Sequence, residues 1–119
     1  MTVFSYIKDN RSEDGWMEFD PAQNGARNII GNFSAKSRID FTGDNVVAGE
    51  YVQAPASAII TWPFTEHAFV LEGSVTIKDL ETGKSATYGV GDGWIIKQGS
   101  ETEWTVTETF RKAFFLHSA

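Results

Sequence analysis

The chain contains no cysteine and only two histidines, His67 and His117. Without cysteine there are no disulfides, thiolate nucleophiles, zinc clusters or iron–sulfur sites. Two histidines cannot build a three-histidine metal site within one chain. Basic blocks are missing too. The 119 residues carry a net charge of −6, so nucleic acid, whose binding rests on neutralising phosphates, is not an expected partner. No apolar run approaches the roughly 18 residues of a membrane span. Residues Met1 to Asn10 lack the basic-then-apolar order of a secretory signal, which makes a cytoplasmic protein with no membrane partner the expectation. Also missing are a Gly-x-Ser-x-Gly elbow and a phosphate-cradling glycine loop.

What is present reads as β-structure. No window keeps a helical period, while about ten short β-branched and aromatic runs are separated by turn signals. Val3 to Ile7 alternates like a short strand, and Trp16 to Phe19 reads as a second strand or a docking segment. Ser37 to Phe41, Val46 to Gln53 and Ser57 to Trp62 follow, the last two ended by Pro55 and Pro63. The central stretch, Glu66 to Ile77, reads as a strand, a tight turn at Glu72-Gly73 and a second strand, a hairpin in appearance. Further strands are expected over Ser85–Val90, Trp94–Lys97, Glu103–Val106 and Phe110–Leu116. The chain length suits one domain with a real core.

Val70-Leu71-Glu72-Gly73 followed by an alternating strand resembles the first motif of the cupin superfamily, the RmlC-like jelly rolls. In that motif a metal-binding Glu stands seven residues before the Gly, where this chain has Glu66. With four residues between the His-x-His pair and that Glu, the pair falls on Ile59 and Thr61. In the second motif Gly91, Asp92 and Gly99 match, but the Pro position is Lys97 and the His position is Thr102. All three metal-binding histidines are therefore replaced, and Glu66 is the one retained ligand position.

Gly89-Val90-Gly91-Asp92, Glu103-Trp104 and Arg111-Lys112 extend the likeness to the small cupins grouped with ureidoglycine aminohydrolase and ethanolamine-utilisation protein Q. The resemblance covers residues 46–116. It implies an all-β, single-domain cupin jelly-roll β-barrel, with residues 46–119 as the core and residues 1–45 adding strands that extend the barrel. It also implies a homodimer with a pocket at the barrel mouth.

Strand alternation and this frame nominate the site. Glu66 facing the barrel needs a partner, because an unpaired buried carboxylate is costly. It is a candidate catalytic or ligand-binding group, or a Glu held for structure by a neighbouring Lys, Arg or hydroxyl. Ile59, Thr61, Thr102 and Trp104 are the other candidate ligand-binding residues, the two hydroxyls as hydrogen-bonding groups. Trp62 and Trp94 either line the pocket or pack the core. His67 points away from Glu66 on the same strand. One of Arg111 and Lys112 should turn inward, to neutralise Glu66 or to bind a substrate.

Three functions are consistent with this reading. One is a small-molecule-binding cupin of unestablished activity without a resident metal or other cofactor. Another is a ureidoglycine-aminohydrolase-like enzyme on a small nitrogenous or carboxylated metabolite, with Glu66 as acid/base or as the sole carboxylate on a weakly held divalent cation such as Mg²⁺ or Mn²⁺. The third is a structural or interaction cupin with a filled barrel.

Overall fold

The computed structural model describes residues 3–119. Eleven strands form two antiparallel sheets that face each other. The strands are β1 (Met17–Phe19), β2 (Ala26–Ile30), β3 (Ala35–Gly43), β4 (Val46–Gln53), β5 (Ala56–Thr61), β6 (Thr65–Glu72), β7 (Val75–Asp79), β8 (Ser85–Tyr88), β9 (Gly93–Ile96), β10 (Glu101–Val106) and β11 (Phe110–His117). A single 3-10 turn, Ala22–Asn24, lies between β1 and β2. The six-stranded sheet runs β1-β3-β4-β11-β6-β9 and the five-stranded sheet β2-β5-β10-β7-β8. No helix among the described residues is long and apolar enough to cross a membrane.

The connections make this a jelly roll. From β4 onward every link but one carries the chain from one sheet to the other, the exception being the β7–β8 hairpin. The central stretch therefore differs from its hairpin appearance. β6 pairs with β11 and β9, whereas β7 pairs with β10 and β8 in the opposite sheet. Gly73 at their junction is a corner between sheets, with φ +70° and its α-carbon packed against the Thr109 carbonyl. Two strands joined by a tight turn look the same in sequence whether they pair or part.

Alternation along each strand fills the space between the sheets. Ala58, Ile60, Ala68, Val70, Val75, Ile77, Ile96 and Val106 point inward with Trp104 at the centre, which meets Trp62, Trp94 and Phe110 edge-on at centroid distances of 5.6–5.8 Å. The outer face of the six-stranded sheet leaves Phe41, Phe69 and Phe115 about half exposed.

Residues 3–16 form no strand, contrary to the alternation of Val3 to Ile7. Side chains on the outer face of the sheet hold this segment instead. The Arg111 guanidinium donates to the carbonyls of Ile7 (2.7 Å) and Lys8 (3.3 Å), and Tyr6 Oη donates to Asp40 (2.8 Å). Arg38 bridges Asp40 and Glu50 and lies over the Trp16 ring. Arg111 Nε stands 2.9 Å from Glu50 Oε1, a close ion-pair contact with an angle too poor for a hydrogen bond. Backbone held this way has no need of a ladder.

A methyl group at residue 73 would both strain the left-handed backbone and strike the Thr109 carbonyl oxygen. Gly73→Ala should therefore lose about 2–5 kcal/mol of stability, from the positive φ and from forced backbone movement together. Gly83→Ala, whose φ is +77° but whose surroundings are open, should lose about 1–2 kcal/mol. Urea denaturation midpoints of the two variants compare them directly; equal losses would show that the corner is not closely packed.

Candidate functional site

Inner-face geometry brings Glu66 and Lys112 together. On β6 the inward row is Glu66, Ala68 and Val70, and His67 and Phe69 face out. On β11, Lys112 lies between Tyr51 of β4 and Val70 of β6. Pairing shifts register between Arg111 and Lys112, and the two neighbours are both buried but on opposite faces. Arg111 serves the N-terminal segment, and Lys112 leans along the inner face to Glu66. Its Nζ stands 2.6 Å from Glu66 Oε2, with Glu66 2% and Lys112 5% exposed. Glu66 Oε1 accepts from Trp94 Nε1 at 2.9 Å. Both carboxylate oxygens are thus engaged.

Aromatic rings enclose the ammonium. Nζ lies 4.7 Å from the Tyr51 ring centroid, 4.8 Å from Trp104, 5.5 Å from Trp62 and 6.0 Å from Trp94. Such faces attract a cation, most of all one stripped of water. The box is braced from behind by Gln53, whose Oε1 accepts from Tyr51 Oη (2.7 Å) and Trp104 Nε1 (2.8 Å). Two donors on one amide oxygen fix its orientation and leave Gln53 Nε2 buried without a partner. Burial pushes the Lys112 ammonium below the ordinary lysine range, although the charge and hydrogen bond of Glu66 pull it back in part. Burial, and then the charge of Glu66, raise the Tyr51 phenol well above its ordinary range.

A cavity of about 380 Å³ opens onto this pair. Glu66, Lys112, Tyr51, Trp62 and Trp104 form its floor, and Ser37, Ile39, Phe114 and Leu116 are on its walls. The rim comes from β1 and the 3-10 turn, through Phe19, Pro21 and Asn24, and carries Glu18 and Asp20. Residues 18–24, which begin within the Trp16 to Phe19 segment read as a strand or docking segment, shape the entrance.

Of the residues nominated from sequence, Glu66 and Trp104 line this cavity. Ile59 and Thr61 do not. Strand β5 buries Ala58 and Ile60 and turns Ile59 and Thr61 to the outer side, where the Thr61 hydroxyl accepts from Arg27 (2.7 Å). The one-residue shorter spacing in the first motif, three residues rather than four before Glu66, selects Ile60 and Trp62, and both line the cavity. The longer spacing points to the opposite face of the strand. Thr102 faces inward, but its hydroxyl accepts from Trp62 Nε1 (2.9 Å) and it lies outside this cavity. Its task is to hold a wall. His67 stands exposed beside Phe69, and Lys97 is exposed. Of Arg111 and Lys112, one of which alternation turns inward, the structure turns in Lys112; Tyr51 is the member to which the sequence assigns no role.

The cupin frame implies a metal beside Glu66, and these residues do not fit one. The positions of the missing imidazoles hold Ile60, Trp62 and Thr102, and an ammonium already stands at hydrogen-bonding distance from the one carboxylate. No group of three His, Asp or Glu side chains suited to a metal exists among the described residues. A divalent cation at Glu66 would have to displace Lys112 from its own counter-ion.

Breaking a buried ion pair strands a charge. Lys112→Met and Glu66→Gln should each lose about 3–5 kcal/mol in urea denaturation, while the double variant recovers most of that loss. Additive losses would mean that the two groups do not depend on each other.

A family model of the EutQ-like cupin domain matches residues 43–114. Among solved structures, the Clostridium difficile EutQ protein superposes with a TM-score of 0.68 at 17% identity, over 91% of this chain and 79% of that one. A putative ethanolamine utilization protein Q from Salmonella typhimurium gives 0.63 at 22% identity, over 72% and 71%. Ectoine synthase from P. lautus gives 0.64 at 14% identity, over 74% and 67%. No curated protein matches the chain by sequence. With its jelly roll and a family match spanning more than half its length, the chain belongs to the EutQ-like cupin domain family.

Proposed function

We propose that this cupin binds a small neutral molecule in the cavity over Glu66 and Lys112. The observation that carries the reading is a buried pair of opposite charges at the end of an otherwise largely apolar cavity of about 380 Å³. That volume falls in the usual range of ligand sites, and a few convergent polar groups in an apolar cleft are their usual chemistry. The pair sums to zero charge. An anion would bring a second negative charge next to Glu66 and past Glu18 and Asp20 at the rim, which disfavours a carboxylated ligand. A head group with an acceptor for Lys112 and a donor for Glu66, such as an amide or a urea, matches both ends, and the aromatic floor takes a flat apolar body.

The same geometry supports an enzyme reading less directly. Ectoine synthase, one of the fold neighbours, is named as a synthase, and Glu66 beside Lys112 is a proton-transfer pair within hydrogen-bonding distance. The filled-barrel reading loses support from the cavity itself.

Benzamide and benzoate are matched probes, alike in body and differing in charge. Benzamide should move the indole resonances of Trp62 and Trp104 at concentrations where benzoate does not. Lys112→Arg should weaken benzamide by about tenfold, the worth of one well-placed hydrogen bond. If neither probe, nor small ureas and alkyl amides, moves those resonances at millimolar concentration, the proposal fails.

A further inference from the structure

Lys112 has the surroundings of a nucleophilic amine rather than only those of a counter-ion. Its Nζ is the end of a side chain that is 5% exposed, it lines the cavity, and among the described residues its one hydrogen-bonding partner is Glu66 Oε2 at 2.6 Å. The remaining N–H directions meet ring faces, which exert an attraction but accept no proton. The five other lysines, Lys8, Lys36, Lys78, Lys84 and Lys97, are all exposed.

We infer that the cavity takes neutral aldehydes or ketones and that Lys112 condenses with them to an imine, with Glu66 moving the protons. This rests on the ligand-binding reading of the same cavity and names the chemical class of one group of its ligands. Burial away from water disfavours the ammonium and so favours the free amine lone pair, and Glu66 at hydrogen-bonding distance is the group that can take the proton.

The step balances within the pair. Glu66 Oε2 takes a proton from the Lys112 ammonium, leaving a neutral amine and a carboxylic acid. The Nζ lone pair adds to the carbonyl carbon, the N–C bond forms and the C=O π bond breaks. The oxygen takes the proton held by Glu66, and the carboxylate then takes one from the now positive nitrogen, giving the carbinolamine. Returned to the hydroxyl, that proton lets it leave as water while the C=N bond forms. The products are a protonated imine on Lys112, an ionised Glu66 and one water, with no oxidant or reductant used. The charge of the pair is the same before and after, so the buried site does not gain or lose net charge. The aromatic floor suits the cationic imine as it suits the ammonium.

Benzaldehyde tests this, with sodium cyanoborohydride to reduce any imine to a stable benzylamine and peptide mass mapping to locate it. The expected result is a benzyl group on Lys112 at aldehyde concentrations that leave the five exposed lysines largely unmodified. Excess benzamide should remove the label from Lys112 and from no other lysine. Glu66→Gln should slow labelling of Lys112 while leaving the exposed lysines unchanged. The competition arm uses the unaltered protein, so it holds even if that variant folds poorly. Benzyl groups confined to exposed lysines, in protein that does bind benzamide, would overturn the imine and leave the ligand-binding reading standing. If Lys112 stays unlabelled and benzamide, small ureas and alkyl amides all fail to bind, both fall.

Discussion

The interior of this protein is organised by one electrostatic constraint: an ammonium and a carboxylate must stay together where both are largely shielded from solvent. Lys112 Nζ and Glu66 Oε2 meet at 2.6 Å inside a shell of indole and phenol rings. Removing two charges from water is expensive, and only close geometry with every remaining polar direction satisfied offsets it. Most of the inner surface can be understood as satisfying those directions. Trp94 donates to the second carboxylate oxygen, Tyr51 and Trp104 present their faces to the ammonium, and Gln53 and Thr102 fix the rings that make the shell. The jelly roll supplies the two opposed faces on which these residues meet.

The family frame explains why such a pair stands there. A cupin barrel offers a concave interior with one inward carboxylate, and that carboxylate needs a cation. Where histidines assemble one from solution, the metal provides it. Here Ile60, Trp62 and Thr102 fill the histidine positions, and a cation arrives covalently tethered on β11. An ammonium differs from a divalent metal in two respects that matter for chemistry. It carries one charge, so the pair is neutral overall and suits neutral ligands. It also carries transferable protons and, once it has lost one, a lone pair.

Much of the fold could be read from the residues because the signals were local. Val46–Gln53, Val70-Leu71-Glu72-Gly73 and Gly91-Asp92 carry strand and turn chemistry that depends little on the rest of the chain. The sheet-crossing corner at Gly73 was not legible, since turn residues specify a reversal but not whether its arms pair. Val3 to Ile7 alternates without becoming a strand; side chains hold it instead, Arg111, more than a hundred residues away, donating to the Ile7 carbonyl and Tyr6 donating to Asp40. Parity and frame put Glu66 and Trp104 on the inner face, and both line the cavity, whereas Ile59 and Thr61 lie on the outer side, one residue of motif spacing from Ile60 and Trp62. One residue is the largest displacement a strand allows, for it turns the side chain to the opposite face. Lys112 turns inward in alternation with Phe110, Phe114 and Leu116, but its reach along the inner face to Glu66 on the neighbouring strand is a contact that no local pattern records.

The claim that Lys112, and not a metal ion, is the cation that neutralises Glu66 is tested most directly by metal content. Tag-free protein, equilibrated with equimolar Mn, Fe, Ni and Zn and then desalted, would be measured by inductively coupled plasma mass spectrometry beside Glu66→Gln. Only background metal is expected in both, because the ammonium already neutralises the one carboxylate. Near one equivalent of a single metal in the unaltered protein, lost in Glu66→Gln, would contradict the account and make Glu66 a metal ligand.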